Sequence, residues 1–141
     1  MQSNDAIIEG FDLATFVADR VAERVHVAAG EVLFFKGDAA GGMFVVLGGR
    51  IDVIVVGKLL DRIGGGGILG EMALIDGTDR CAAALVQEAA ELVALDRARF
   101  LDLIAEEPRF ALAAITIMAK RIAGLSRLFP RPSPSAGLPA S

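Results

Sequence analysis

Glycine cuts the middle of this chain into short β-rich pieces: Glu31–Lys36, Met43–Leu47, Arg50–Val56, Lys58–Ile63, Ala82–Gln87 and Glu91–Asp96. The cuts fall at Gly30, Gly37, the pairs at 41–42 and 48–49, and Gly57. Glycine interrupts a strand pattern because it adopts backbone conformations closed to other residues and offers no side chain to pack. Short strands with regular turn signals predict antiparallel pairing, not the alternating strand–helix units of a parallel sheet. The expected body is an antiparallel β-roll or jelly roll over about residues 26–96.

Helical spacing appears on both sides of this body. Asp12–Val25 places Leu13, Phe16, Val17, Val21 and Val25 at three- and four-residue steps, which predicts an N-terminal amphipathic helix. Arg97–Glu106 returns to that spacing with Phe100, Leu103 and Ile104, and Pro108 marks a boundary. Arg109–Phe129 then aligns Phe110, Ala114, Ile117, Met118, Ile122, Leu125 and Phe129 along one side of a longer helix. The fold class read from this is mainly β with flanking helices, one before the roll and two after it. Residues 1–129 form one domain, with its C-terminal helices over about 97–129, and the Pro/Ser-rich stretch 130–141 is expected to be a disordered tail. At 141 residues and 54% hydrophobic content the chain has ample core for a single domain.

Several function classes are disfavoured by composition. A net charge of −4 and a pI near 4.9 leave no clustered Lys and Arg for phosphate neutralisation, so nucleic acid is not an expected partner. The single cysteine, Cys81, excludes an internal disulfide and reads as a small packing residue. His26 is the sole histidine and reads as an ordinary strand-edge residue, so no metal site is expected. The N-terminus has no basic region before an apolar run, and the apolar runs fall well short of the ~20 residues that span a membrane. A cytoplasmic protein is expected.

The chemistry concentrates in Arg62–Arg80, RIGGGGILGEMALIDGTDR. Gly65, Gly67 and Gly70 spell the G-x-G-x-x-G dinucleotide fingerprint, but that motif needs a parallel strand before it and a long helix after it. Here an antiparallel strand run precedes and a DGT turn follows. A P-loop fails as well, because Gly57-Lys58 lacks both the earlier glycine and the following Ser or Thr. What survives is a short helix whose first amides, at Gly70 to Ala73, suit a small anion, with Arg80 able to fold back onto it. Glu71 is informative because a carboxylate beside a phosphate is repulsive unless it accepts hydrogen bonds, and a sugar hydroxyl would supply one.

The segment ILGEMALIDGTDRCAAAL resembles the phosphate-binding cassette of the cyclic nucleotide-binding domain family. AGEVLFFKGD and GMFVVLGGRIDV are similar to that family's early strand and turn and its following strand pair, and VALDRARFLDLIAEEPRFALAAITIMAKRI to its helices after the roll. The resemblance covers roughly Ala29 to Leu128, and the nine-residue step from Glu71 to Arg80 is its most specific feature. It implies ligand-binding positions at Gly70, Glu71, Met72, Ala73, Arg80, Cys81 and Ala82. Arg80 would pair with the exocyclic oxygens of a cyclic phosphate, Glu71 would bind the ribose 2′-hydroxyl, and the amides near Gly70 and Ala73 would complete the cradle. The long last helix either packs on the roll or acts as a lid over the purine, with Arg121, Leu125, Ser126 and Arg127 as lid candidates.

The segment departs from the family pattern at Leu69, Asp79, Gly65 and Gly67. The added glycines are expected to loosen the unliganded loop. Asp79 is expected to compete with the phosphate for Arg80. Cys81 stands where a hydroxyl is associated with guanine recognition, so cAMP is expected over cGMP, with no other cofactor. These are binding roles, not catalytic ones, and no enzyme is expected. The implied function is a stand-alone sensor that signals through its C-terminal helices to a protein partner or within a homodimer. The main rival is a non-binding interaction module on the same fold.

Overall fold

The computed structural model of the protein describes residues 7–8, 10–72, 74, 77 and 79–125. Two short strands, β1 (Ile7–Ile8) and β2 (Phe11–Asp12), pair antiparallel ahead of helix α1 (Leu13–Arg20). The roll follows: β3 (Val25–Val27), β4 (Val32–Phe34), β5 (Met43–Val55), β6 (Lys58–Ile63), β7 (Ile68–Leu69) and β8 (Ala83–Leu95). Helices α2 (Arg97–Glu106) and α3 (Arg109–Leu125) complete the described chain. Among the described residues every strand pairing is antiparallel, as the glycine punctuation predicts.

The roll is built on two long strands. β5 and β8 run alongside each other for most of their length, from Met43↔Leu95 to Ile54↔Ala83, with register shifts around Gly48 and Arg50. At those bulges the pair bends and each strand changes its second neighbour. β5 pairs β7 before the bend and β6 after it, while β8 pairs β4 before and β3 after. Gly49 makes the crossing possible. It has φ +91°, and a Cβ there would lie 2.4 Å from the Ala89 carbonyl oxygen. The sequence reading divides each long strand in two; the structure corrects this, because the pair bends at the bulges around Gly48 and Arg50 of β5 without either strand ending, and β8 carries no glycine of its own.

Local signals set the helices. The Asp12 side chain accepts from the Thr15 N–H at 3.3 Å and the Asp96 side chain from the Arg99 N–H at 2.8 Å, capping α1 and α2. α1 is shorter than the Asp12–Val25 expectation. It closes after Arg20, where the Val21 N–H donates to the Val17 carbonyl, and Val25 is recruited into β3 opposite Leu92. α2 has the expected bounds, and α3 begins as expected at Arg109; residues 126–129 and the tail 130–141 lie outside the described residues.

Two hydrophobic clusters flank the sheet. One joins Leu13, Phe16 and Val17 of α1 to Phe110, Ala114 and Ile117 of α3 and to Met43, Val45 and Ile68. The other fills the roll with Val46, Ile51, Ile63, Leu69, Val86 and Leu92. Strand alternation divides β7 between them: Ile68 faces the helices and Leu69 the roll interior. The chain leaves β7 at Gly70, at the seam between the two cores.

Candidate functional site

Arg80 is positioned by its backbone first. Its N–H donates to the Asp38 carbonyl at 2.9 Å, and its own carbonyl accepts from the Gly37 N–H at 2.7 Å. The partner turn is itself fixed, because the Asp38 carboxylate accepts from the Phe35 N–H at 2.9 Å and Gly37 takes φ +92°. This turn is the FKGD stretch, so β4 and the arginine are tied together.

The guanidinium then reaches back across the cassette. Its Nη1 donates to the Gly70 carbonyl at 3.1 Å, and its Cζ lies 4.3 Å from the Phe34 ring centroid and 5.7 Å from that of Phe44. Gly70 has φ +76°, and a Cβ there would meet Arg80 Nη1 at 2.3 Å. Only glycine fits. Burial pushes the Arg80 pKa down from its ordinary value, opposed by the negative charges of Glu71 and Asp38. An arginine starts so far above neutrality that the group stays cationic. A guanidinium carries five N–H donors, so one bond to Gly70 leaves most of the fork for an anion.

Glu71 lies beside it with its side chain 14% exposed. Its Oε2 accepts from Arg121 Nη1 at 2.8 Å, whereas Oε1 is buried and has no hydrogen-bond partner among the described residues. Arg121 comes from α3 and is shared: Nε donates to Asp61 Oδ2 at 3.0 Å, and Nη2 donates to the Ile68 carbonyl. These groups line a cavity of about 180 Å³ with apolar walls from Phe34, Val53, Leu60 and Leu69.

The structure brings most of the expected ligand positions to this cavity. Gly70, Glu71, Met72, Arg80, Cys81 and Ala82 all line it, with Met72 and the free thiol of Cys81 exposed and Ala82 buried. Ala73 lies outside the described residues, although Met72 and Leu74 on either side are helical. Of the lid candidates, Arg121 lines the cavity, Leu125 is the last described residue of α3, and Ser126 and Arg127 lie outside the described residues. His26 sits exposed on β3, 3.6 Å from a Glu91 carboxylate oxygen. No group of three or more metal-ligating side chains occurs among the described residues.

One expectation is corrected. The glycine run is pinned: the Gly66 N–H donates to the Val46 carbonyl at 2.8 Å, and the Gly67 carbonyl accepts from the Val46 N–H at 2.9 Å. A Cβ on Gly65 would come within 3.1 Å of the Leu47 carbonyl oxygen, so this glycine serves close packing against β5. Asp79 is exposed and lines the same cavity as Arg80, while among the described residues no carboxylate forms an ion pair with Arg80. The residues that sequence reasoning missed are Phe34 and Phe44, which flank the guanidinium, and Asp61, which holds Arg121. Each reaches the site through strand register, for which one sequence carries no local signal.

The Cyclic nucleotide-binding domain family model matches residues 24–107, more than half of the chain. The chain belongs to that family. Its relatives include the cGMP-dependent protein kinase, isozyme 1, of Drosophila melanogaster, 33% identical over 110 residues that make up 73% of this chain and 14% of the kinase. The Cyclic AMP receptor protein of Thermus thermophilus is 31% identical over 98 residues, 66% of this chain and 45% of that protein. The crystal structure of Thermus thermophilus Catabolite Activator Protein matches with TM-score 0.68 at 27% identity, covering 81% of this chain and 57% of that one. The chain spans less than half the length of these two curated relatives. The segment that resembles the family's phosphate-binding cassette runs from Gly70 to Ala82, between β7 and β8. No helix among the described residues is long and apolar enough to cross a membrane.

Proposed function

We propose that this domain binds a cyclic mononucleotide in the cavity between the cassette and α3, with cAMP preferred over cGMP. The observation that carries the reading is the buried Glu71 Oε1 without a partner, in the same cavity as a guanidinium that has donors to spare. A buried charged oxygen without a hydrogen bond is costly, and a ligand hydroxyl relieves it. A cyclic nucleotide offers that hydroxyl close to an anionic phosphate. Arg80 takes the exocyclic phosphate oxygens and Glu71 Oε1 the ribose 2′-hydroxyl. The similarity to one protein named for cAMP and another named for cGMP supports a cyclic mononucleotide without selecting between them. The preference for cAMP rests on Cys81, whose thiol is a weaker partner for a guanine than a hydroxyl.

The role is regulatory, in the cytoplasm and without catalysis by this domain. Arg121 links the ligand cavity to α3, and Glu71 also lines a larger apolar cavity of about 380 Å³ between the cassette, α2 and α3. Ligand at Glu71 therefore acts on groups that pack the helices. The outer face of α3 exposes Leu112, Ile115 and Ile122, at steps of three and seven residues. That spacing suits a protein partner or a second copy of the chain.

A thermal-shift screen with cAMP, cGMP and ATP tests the proposal. Ligand at 100 times its Kd stabilises the folded state by about 2.7 kcal/mol. The expected result is a shift with cAMP larger than with cGMP, and none with ATP. Calorimetry on Arg80→Ala should show affinity reduced roughly 10- to 150-fold, the value of one charge-assisted hydrogen bond. No shift with either cyclic nucleotide at millimolar concentration would favour the non-binding module instead.

A further inference from the structure

A guanidinium facing a lone carboxylate tends to pair through two parallel N–H···O bonds, one to each oxygen. Arg121 does not do this with Glu71. It gives Glu71 only Nη1, to Oε2, while Nε goes to Asp61 Oδ2 and Nη2 to the Ile68 carbonyl. Asp61 is held on its other side as well, since its Oδ1 accepts from the Arg62 N–H at 2.8 Å. This carboxylate stands on β6 opposite Val53 and lines the ligand cavity.

The consequence falls on Glu71 Oε1. A fork-to-fork pair between Arg121 and Glu71 would engage both carboxylate oxygens and leave no acceptor for a ligand. With Nε engaged by Asp61 and Nη2 by the Ile68 carbonyl, neither two-nitrogen edge of Arg121 is open to Glu71, so Arg121 orients it through one oxygen and leaves the second buried and open. We infer that Asp61 is a positioning residue of the ligand site: by engaging Arg121 it reserves Glu71 Oε1 for a ligand hydroxyl. The inference rests on the reading of Glu71 in the preceding subsection and adds to it a determinant outside the cassette. It also makes hydroxyl recognition depend on where α3 holds Arg121.

Calorimetry with cAMP and 2′-deoxy-cAMP on wild type, Asp61→Ala, Asp61→Glu and Glu71→Gln tests this. Wild type should prefer cAMP by roughly 10-fold or more, as expected for one hydrogen bond to a charged group. In Asp61→Ala the preference should collapse to within about 3-fold, mainly through weaker cAMP binding, with 2′-deoxy-cAMP little changed because its phosphate contact to Arg80 is intact. Asp61→Glu should recover part of the preference. A general structural defect would weaken both ligands alike and would overturn the inference. A full wild-type preference in Asp61→Ala would overturn it while leaving the Glu71 reading intact. Equal affinity of wild type for the two ligands, or an undiminished preference in Glu71→Gln, would overturn that reading and the inference with it. Without ligand, NMR of the Arg121 Nε–H should show slow solvent exchange in wild type and fast exchange in Asp61→Ala; unchanged exchange would also overturn the inference.

Discussion

Replacing Gly70 by Ala adds one methyl group and strikes at the centre of the site. The residue has φ +76°, a region that costs an L-residue about 1–2 kcal/mol. The new Cβ would lie 2.3 Å from Arg80 Nη1 and 3.2 Å from its Cζ, so the guanidinium must leave. It then gives up its bond to the Gly70 carbonyl, of a kind worth about 1.5–3 kcal/mol when one partner is charged. It also moves off the Phe34 ring, a contact worth about 0.5–1 kcal/mol. Part of this is recovered when the side chain is hydrated, so a net destabilisation of roughly 3 kcal/mol is expected. At about 2–4 °C per kcal/mol for a domain near this size, thermal unfolding should fall by about 6–12 °C. Cyclic-nucleotide affinity should fall at least as far as in Arg80→Ala. The assay is paired thermal unfolding and calorimetry against Gly41→Ala, where a Cβ meets nothing within 4 Å and no change is expected. A Gly70→Ala protein with wild-type stability and wild-type affinity would refute the close approach of Arg80 to Gly70 and the role built on it.

Further outcomes follow from the same geometry. Val56 and Gly57 close the β5–β6 hairpin with φ +51° and +71°; Val56 is 87% exposed, so Val56→Asn should raise stability by about 1 kcal/mol in denaturant titration. Gly49→Ala should destabilise severely, since its Cβ would sit 2.4 Å from the Ala89 carbonyl oxygen, whereas Gly48→Ala, with nothing within 4 Å, should be mild. Phe110→Ala should cost about 3–5 kcal/mol in urea unfolding, because this fully buried ring packs against Phe16 and Phe100. The side chain of Arg109 holds the Glu107 carboxyl below the usual range, so its small contribution is present above the unfolded pKa and is lost as pH falls through the lower folded value. Glu107→Gln should remove that part of the acid dependence of unfolding.

Where neighbouring residues carry the cause, the sequence is legible. β6 and α2 have the expected bounds, since a turn at Val56-Gly57 and a cap at Asp96 lie within a few residues of what they start. The Glu71-to-Arg80 step likewise survives folding, because the cassette is a continuous piece of chain. Legibility fails where a residue serves a distant neighbour. Gly48 and Gly49 read as a strand break because their role is to let β5 bend against β8. β7 is only two residues long, and it exists because β5 offers it a partner.

By itself, then, the sequence determined an antiparallel body, its flanking helices and a cassette with a carboxylate and a guanidinium at fixed spacing, all set by interactions along a short stretch of chain. The tertiary structure decided how those two groups are used. Phe34 and Phe44 stack beside Arg80, and Asp61 and Arg121 leave one Glu71 oxygen open; these residues lie far apart in the chain and meet only through strand register and the docking of α3. Packing geometry is a property of the whole fold, so no local spacing announces it.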